Sequence, residues 1–228
     1  MIRVSNYRIE TPIELFAGSP ITLTIESPRE YYLLTRDMIR AFDGAETGFS
    51  LWNDDVRIKP TDKCEIVSDL FSFEVTDRKI MNALYKKLHD NFLCGDYVCA
   101  FGEAASATEI FLNKLCDTVD FPIEYDELSL DAVLKAFSVR PAKDYETLTE
   151  KIIAYIDVFV ELKRVEAFVF VGLKQVLPDD ELALIYRHCE LKKIALLLFE
   201  SCRVRPPLDN ERSIIITDDL CEIVENFG

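Results

Sequence analysis

Carboxylates give this sequence its best prospect of chemistry. Asp117, Asp120, Glu124, Asp126 and Glu127 crowd one segment around Pro122. Carboxylates on a turn between helices are hard oxygen ligands of the kind Ca2+ gathers, about six to eight at a time. Their spacing is not that of an EF-hand, because no Asp-x-Asp-x-Asp-Gly run is present. Residue types alone leave two readings open: a solvated turn leading into a helix, which is the commoner arrangement, and a cation site. The other acidic pairs, Asp54–Asp55, Asp179–Asp180 and Asp218–Asp219, read as solvated turns and helix starts, where carboxylates complement the helix dipole.

Phosphate-handling and nucleophilic chemistry find little to use. No strand is followed by GxxxxGKS/T or GxGxxG, and the seven glycines do not cluster. Gly172-Leu173-Lys174 follows a strand, but one Gly and one Lys make a plain strand-end turn. No GxSxG elbow occurs. The only histidines, His89 and His188, stand beside no recognisable nucleophile, and His188 sits near a helix end, where a cation complements the dipole. The seven cysteines are scattered with no CxxC pair, and Cys94 and Cys99 lack a second pair to complete a tetrahedral site. They read as buried or idle thiols, and a non-enzymatic protein is expected.

The 228 residues carry a net charge of −15, with 49% hydrophobic and 29% charged residues. That balance suits a folded protein rather than a disordered one. It argues against nucleic-acid binding, since phosphate contacts need Lys and Arg to release counterions. The objection falls only if basic residues gather on one face or divalent cations bridge the carboxylates. With no uncharged apolar run of about 18 residues and no apolar leader, neither a membrane span nor secretion is expected. A cytoplasmic location follows as the expectation.

The elements that must position these groups fall into three stretches. Residues 7–24 read as two short strands around Gly18-Ser19-Pro20, followed by a helix over 31–42, a hairpin arm over 49–58 and a short strand at 64–68. Residues 77–162 are nearly all helix: one capped by Asp77, one over 103–119, one over 129–137 and one over 145–162. Ala167–Val171 and Ile194–Phe199 are continuous apolar runs flanking a helix that starts at Pro178, and Ser213–Ile216 is a third strand. Strand, helix, strand at these lengths is a right-handed crossover in a parallel sheet. The expected fold class is α/β: a head containing a parallel sheet, from residues 1–76 and 163–228, with an inserted, mostly helical leg at 77–162.

Several blocks together resemble the CRISPR-associated Csn family of subtype II-A. They are Glu10-Thr-Pro-Ile-Glu-Leu15 with Leu23-Thr-Ile-Glu26, then Ile58-Lys-Pro60 and Glu65 to Val75, then Ile123-Glu-Tyr-Asp-Glu127 with Phe137-Ser-Val139. Phe168-Val-Phe-Val171, Leu177-Pro-Asp-Asp-Glu-Leu182, Leu196-Leu-Leu-Phe-Glu200 and Asp219 complete the series. The blocks keep the family's order over nearly the whole chain.

The resemblance implies a ring-shaped homotetramer, stabilised by Ca2+, that takes double-stranded DNA by its ends without regard to sequence. It implies no catalytic activity, and a role in CRISPR spacer acquisition beside the CRISPR integrase pair and the guide-RNA nuclease. It places the Ca2+ ligands at Glu124, Asp126 and Glu127, with Asp120 nearby, and with Asp131 standing in for a family carboxylate whose position is Ala132 here. Arg78, Lys79, Lys86, Lys87, Lys163 and Arg164 become candidates for lining the DNA hole, although Lys163-Arg164-Val165-Glu166 is thinner in basic residues than the family's lysine run. For each of these side chains taken singly, a solvated helix face is the commoner arrangement. Two other functions compete: a nucleotide-binding or NTP-hydrolysing protein, and a protein-only adaptor of the acquisition machinery.

Overall fold

The structure, a computed structural model, describes residues 1–226. The chain divides into two compact units, Met1–Glu74 with Asp144 onward, and Val75–Lys143. Phe227 and Gly228, part of the head range expected from sequence, lie outside the described residues.

In chain order the first unit supplies β1 Ile2–Asn6, β2 Ile13–Leu15, β3 Ile21–Ile25, α1 Pro28–Phe42, β4 Phe49–Asn53, β5 Val56–Ile58, α2 Pro60–Lys63 and β6 Cys64–Val67. The second unit holds α3 Arg78–Cys94, α4 Tyr97–Cys116 and α5 Leu130–Ala136. The chain then returns to the first unit with α6 Leu148–Lys163, β7 Ala167–Val171, α7 Leu173–Val176, α8 Asp179–Lys192, β8 Ala195–Glu200, β9 Arg212–Ile216 and β10 Glu222–Asn226.

Two sheets organise the first unit. Strands β6, β7, β8, β3 and β9 run parallel, and β10 closes the edge antiparallel, in the order β10-β9-β3-β8-β7-β6. The smaller sheet, β2-β1-β4-β5, is antiparallel throughout. The α/β class expected from sequence is therefore the class observed. The apolarity of β7, and of β8 up to Phe199, has its cause in their central position, where both faces are covered and every side chain of β8 is buried. One face packs Leu23, Val169, Leu197, Phe199 and Ile214 against Leu34 and Met38 of α1 and against Val4 and Leu51 of the small sheet. The other carries Phe168, whose ring meets Tyr155 and Phe159 of α6 edge to face.

That contact decides where α6 belongs. Its stripe of Ile152, Tyr155, Ile156 and Phe159 is buried in the first unit, so the helix expected to end the leg falls on the head's side of the boundary. His188, expected to complement a helix end, instead lies 3.0 Å from Asp157 on α6, which also takes Lys192 at 3.0 Å. Cys64 and Cys189 are buried, and burial pushes both thiols up to about 12, so neither supplies thiolate at neutral pH. Among the described residues no helix is long and apolar enough to cross a membrane.

In the second unit, Asp77 caps α3 by accepting from the Ile80 N–H at 2.6 Å, and Ser129 caps α5 by accepting from the Ala132 N–H. Such caps each contribute about 1 kcal/mol. The 20 residues of α4 include none that is buried. Tyr97 and Val98 at one end of the helix, and Ile110, Phe111 and Leu115 near the other, are all exposed.

Candidate cation and nucleic-acid sites

The acidic segment follows the end of α4 and folds back along it. The Tyr125 hydroxyl donates to Asn113 Oδ1 at 2.6 Å, which holds the segment against the helix. Burial raises the Tyr125 phenol, and the Glu109 carboxylate adds to the rise. Asp126 and Glu127 border an open groove of about 440 Å3 whose α4 side presents Thr108 and Glu109. Glu109 is thus a third carboxylate of this groove. No pattern in the sequence pointed to it, because it lies in mid-helix far from the acidic cluster.

The remaining expected ligands do not line this groove. Asp120 and Glu124 are exposed. Asp131, in the first turn of α5, meets His89 Nε2 at 2.9 Å, so that carboxylate is engaged by an imidazole. Among the described residues no three His, Cys, Asp or Glu side chains converge as a metal-holding group. The donors are chemically right for Ca2+, yet one chain offers only part of a coordination shell of about six to eight oxygens.

The basic candidates separate by unit. Arg78, Lys79, Lys86 and Lys87 occupy α3, with Lys79 and Lys86 seven positions apart and so on nearly one line along the helix. Arg78, Lys79 and Lys86 are exposed and Lys87 is half-buried. Lys163 ends α6 with its ammonium 5.1 Å from the Phe159 ring centroid, and Arg164 caps the helix in the left-handed region at φ 57°.

Open parallel sheets take ligands beyond the carboxyl ends of their strands, and here that position is filled by the chain itself. The turn after β3 is Glu26-Ser27-Pro28, and Pro28 removes a backbone donor at the start of α1 where a phosphate would need one. Glu30 adds a carboxylate to that first turn and pairs with Arg8 at 2.6 Å. Gly172 takes φ 73° as expected of a strand-end turn, but the side chain of Lys174 turns inward. Its ammonium lies 2.7 Å from Glu211, and their side chains are 4% and 0% exposed. Glu211 also accepts from the Thr22 hydroxyl and from the Leu208 N–H.

Buried Glu200, at the end of β8, accepts from the Lys174 N–H at 2.8 Å and from Gln175. Burial raises its carboxyl above the usual range, partly offset by those donors. Above the cluster, residues 201–211 cross from β8 to β9 without a helix. Arg205 fastens this strap to the carbonyls of Lys174 and Leu177 and to Asp179.

Among the solved structures similar to this chain are two bacterial or archaeal transporter components. One is a dimeric bacterial ABC transporter cassette, with TM-score 0.46 and 11% identity over 100% of this chain and 99% of that one. The other is a putative ABC transporter ATP-binding protein from Pyrococcus furiosus, with TM-score 0.42 and 8% identity over 93% and 96%. A CRISPR-associated protein Csn2 of Streptococcus agalactiae is 23% identical over 206 residues, covering 90% of this chain and 91% of its own. The family described as CRISPR-associated protein (Cas_Csn2) matches residues 41–220. That match spans most of the sequence, and the chain therefore belongs to the Csn2 family of CRISPR-associated proteins.

Proposed function

We propose that this protein is a non-catalytic, sequence-independent binder of double-stranded DNA ends, acting as a Ca2+-dependent homotetrameric ring in spacer acquisition. The observation that carries the reading is α4: a helix of 20 residues, none buried, with Ile110 and Phe111 57% and 61% exposed. An apolar surface of this kind calls for a cover, and further copies of the chain supply it. Subunits of net charge −15 repel one another, and Ca2+ at carboxylates such as Asp126, Glu127 and Glu109 lowers that repulsion. Waters or a neighbouring copy complete the shell, with Glu124 and Asp120 as further donors. Once assembled, the ring offers DNA the basic side chains of α3, with Lys163 and Arg164 as additional candidates. Contacts to phosphates alone carry no sequence information and weaken steeply with salt. The CRISPR integrase pair and the guide-RNA nuclease are the partners this role requires.

The test is charge reversal on α3. Lys86→Glu with Lys87→Glu is expected to weaken duplex binding at low salt by at least about a hundredfold, while the sedimentation coefficient in Ca2+ stays unchanged. Unaltered binding would take α3 out of the DNA surface.

A further inference from the structure

The outer face of the small antiparallel sheet holds a group of side chains that the duplex reading does not use. Strand register puts Glu14, Arg3, Trp52 and Arg57 in one row across β2, β1, β4 and β5. Side chains directly opposite in an antiparallel sheet share a face. The inward set, Ile2, Val4, Leu15 and Leu51, is buried in the core, so this row points outward. Arg3 sets its guanidinium 5.8 Å from the centroid of the Trp52 ring. In the next row Ser5 and Ser50 face each other, their hydroxyls 2.9 Å apart. Arg57 and Lys59, both exposed, also line an open groove of about 450 Å3 together with Thr47, Ser50 and Thr61, and Glu46 is the one carboxylate among the described residues of that lining. Among the described residues, none of Arg3, Arg57 and Lys59 is in an ion pair.

We infer that this face is a second nucleic-acid site, one that takes unpaired bases and the phosphates between them: single-stranded DNA or RNA. The inference stands independently of the duplex ring, because every residue in it belongs to one unit of one chain. In a subunit of net charge −15, three unpaired cations on one sheet face complement a polyanion. Neighbouring strands lie about 5 Å apart, so Arg3 and Arg57 flank the indole one strand away on either side. An aromatic ring between cations is the arrangement on which unstacked bases settle while their phosphates are neutralised. A closed duplex keeps its bases stacked on one another and would leave the indole unused. Carboxylates limit the track. Glu14 closes the row at β2, and Asp54 and Asp55 close the β4–β5 turn, where Asp54 takes the terminal ammonium of Met1. The strand therefore runs over β1, β4 and β5.

Trp52 is the chain's single tryptophan, so fluorescence excited selectively at the indole, beyond the absorption of the tyrosines, reports on this face alone. A thymidine homopolymer titrated at low salt is expected to quench the emission equally in Ca2+ and in chelator, and high salt should restore it. Arg57→Glu with Lys59→Glu, both exposed and so compatible with an unchanged melting profile, is expected to weaken the homopolymer at least about tenfold. Lys86→Glu with Lys87→Glu should leave the quenching intact, which separates this site from the duplex surface. Unchanged emission, or an affinity indifferent to the Arg57 and Lys59 reversals, would overturn the inference. Equal quenching by closed duplex would assign the face to duplex backbone, and equal quenching by polyglutamate would assign it to an acidic polypeptide. Either outcome would also overturn it.

Discussion

Lys174→Met is expected to destabilise the protein by about 3–5 kcal/mol, the usual effect of removing one partner from a buried ion pair. The substitution leaves Glu211, which is fully buried, without its ammonium, and leaves Glu200 beside it with its carboxyl already raised by burial. Denaturant unfolding measures the change. The loss comes from the stranded charge rather than from the pair's own strength. Replacing both partners, Lys174→Met with Glu211→Leu, is therefore expected to recover much of it. Recovery should stop short of complete, because Thr22 and the Leu208 N–H lose the acceptor they share. A change below about 1 kcal/mol for the single variant would mean that water reaches Glu211 and that the strap is not closed.

Ile110→Glu with Phe111→Glu is expected to break the assembly and spare the fold. Both side chains are exposed in the single chain, so the circular dichroism spectrum and the melting of the subunit should change little. Covered by another copy, each contributes about 1.5–3 kcal/mol of apolar burial, so the pair contributes at least about 3 kcal/mol. That amounts to at least roughly a hundredfold in the association constant. Analytical ultracentrifugation in Ca2+ should show the variant as smaller species than the parent protein at the same concentration. A variant that assembles like its parent would leave α4 facing something other than a further copy of the chain.

How far the sequence could be read follows from what each feature depends on. Ala167–Val171 and the Ala195–Phe199 part of β8 announce themselves because strands covered on both faces favour continuous apolar runs. Asp77 and Ser129 announce helix starts because capping is a local matter of one side chain and one N–H. Ile2–Asn6 and Glu222–Asn226 carry no clear strand signal. The first mixes apolar residues with Arg, Ser and Asn in a short edge-like run, and the second carries two glutamates on a sheet edge. The expected leg, residues 77–162, extends past the observed unit Val75–Lys143 because α6 has the same periodicity whichever unit it packs against. Only its contact with Phe168 decides the matter.

The sites divide in the same way. The acidic segment is legible as a cluster, whereas Glu109 joins it only through the folding back of Tyr125 onto Asn113. Asp131 looks free in sequence and is engaged by His89, 42 positions away. Lys174 reads as a turn residue, since its partner Glu211 lies 37 positions further on. The row of Arg3, Trp52 and Arg57 exists only through strand register, which short hairpins fix by their turns and which no single segment reveals.

The proposed Ca2+-closed ring threads DNA ends, and a ring that threads ends distinguishes duplexes by topology. Linear duplex and covalently closed circular duplex of one sequence should be compared at low salt, in Ca2+ and again with chelator. The expected result is binding to the linear form alone, lost when Ca2+ is removed. Equal binding to the closed circle would contradict threading, and no binding to either form would contradict the DNA function itself.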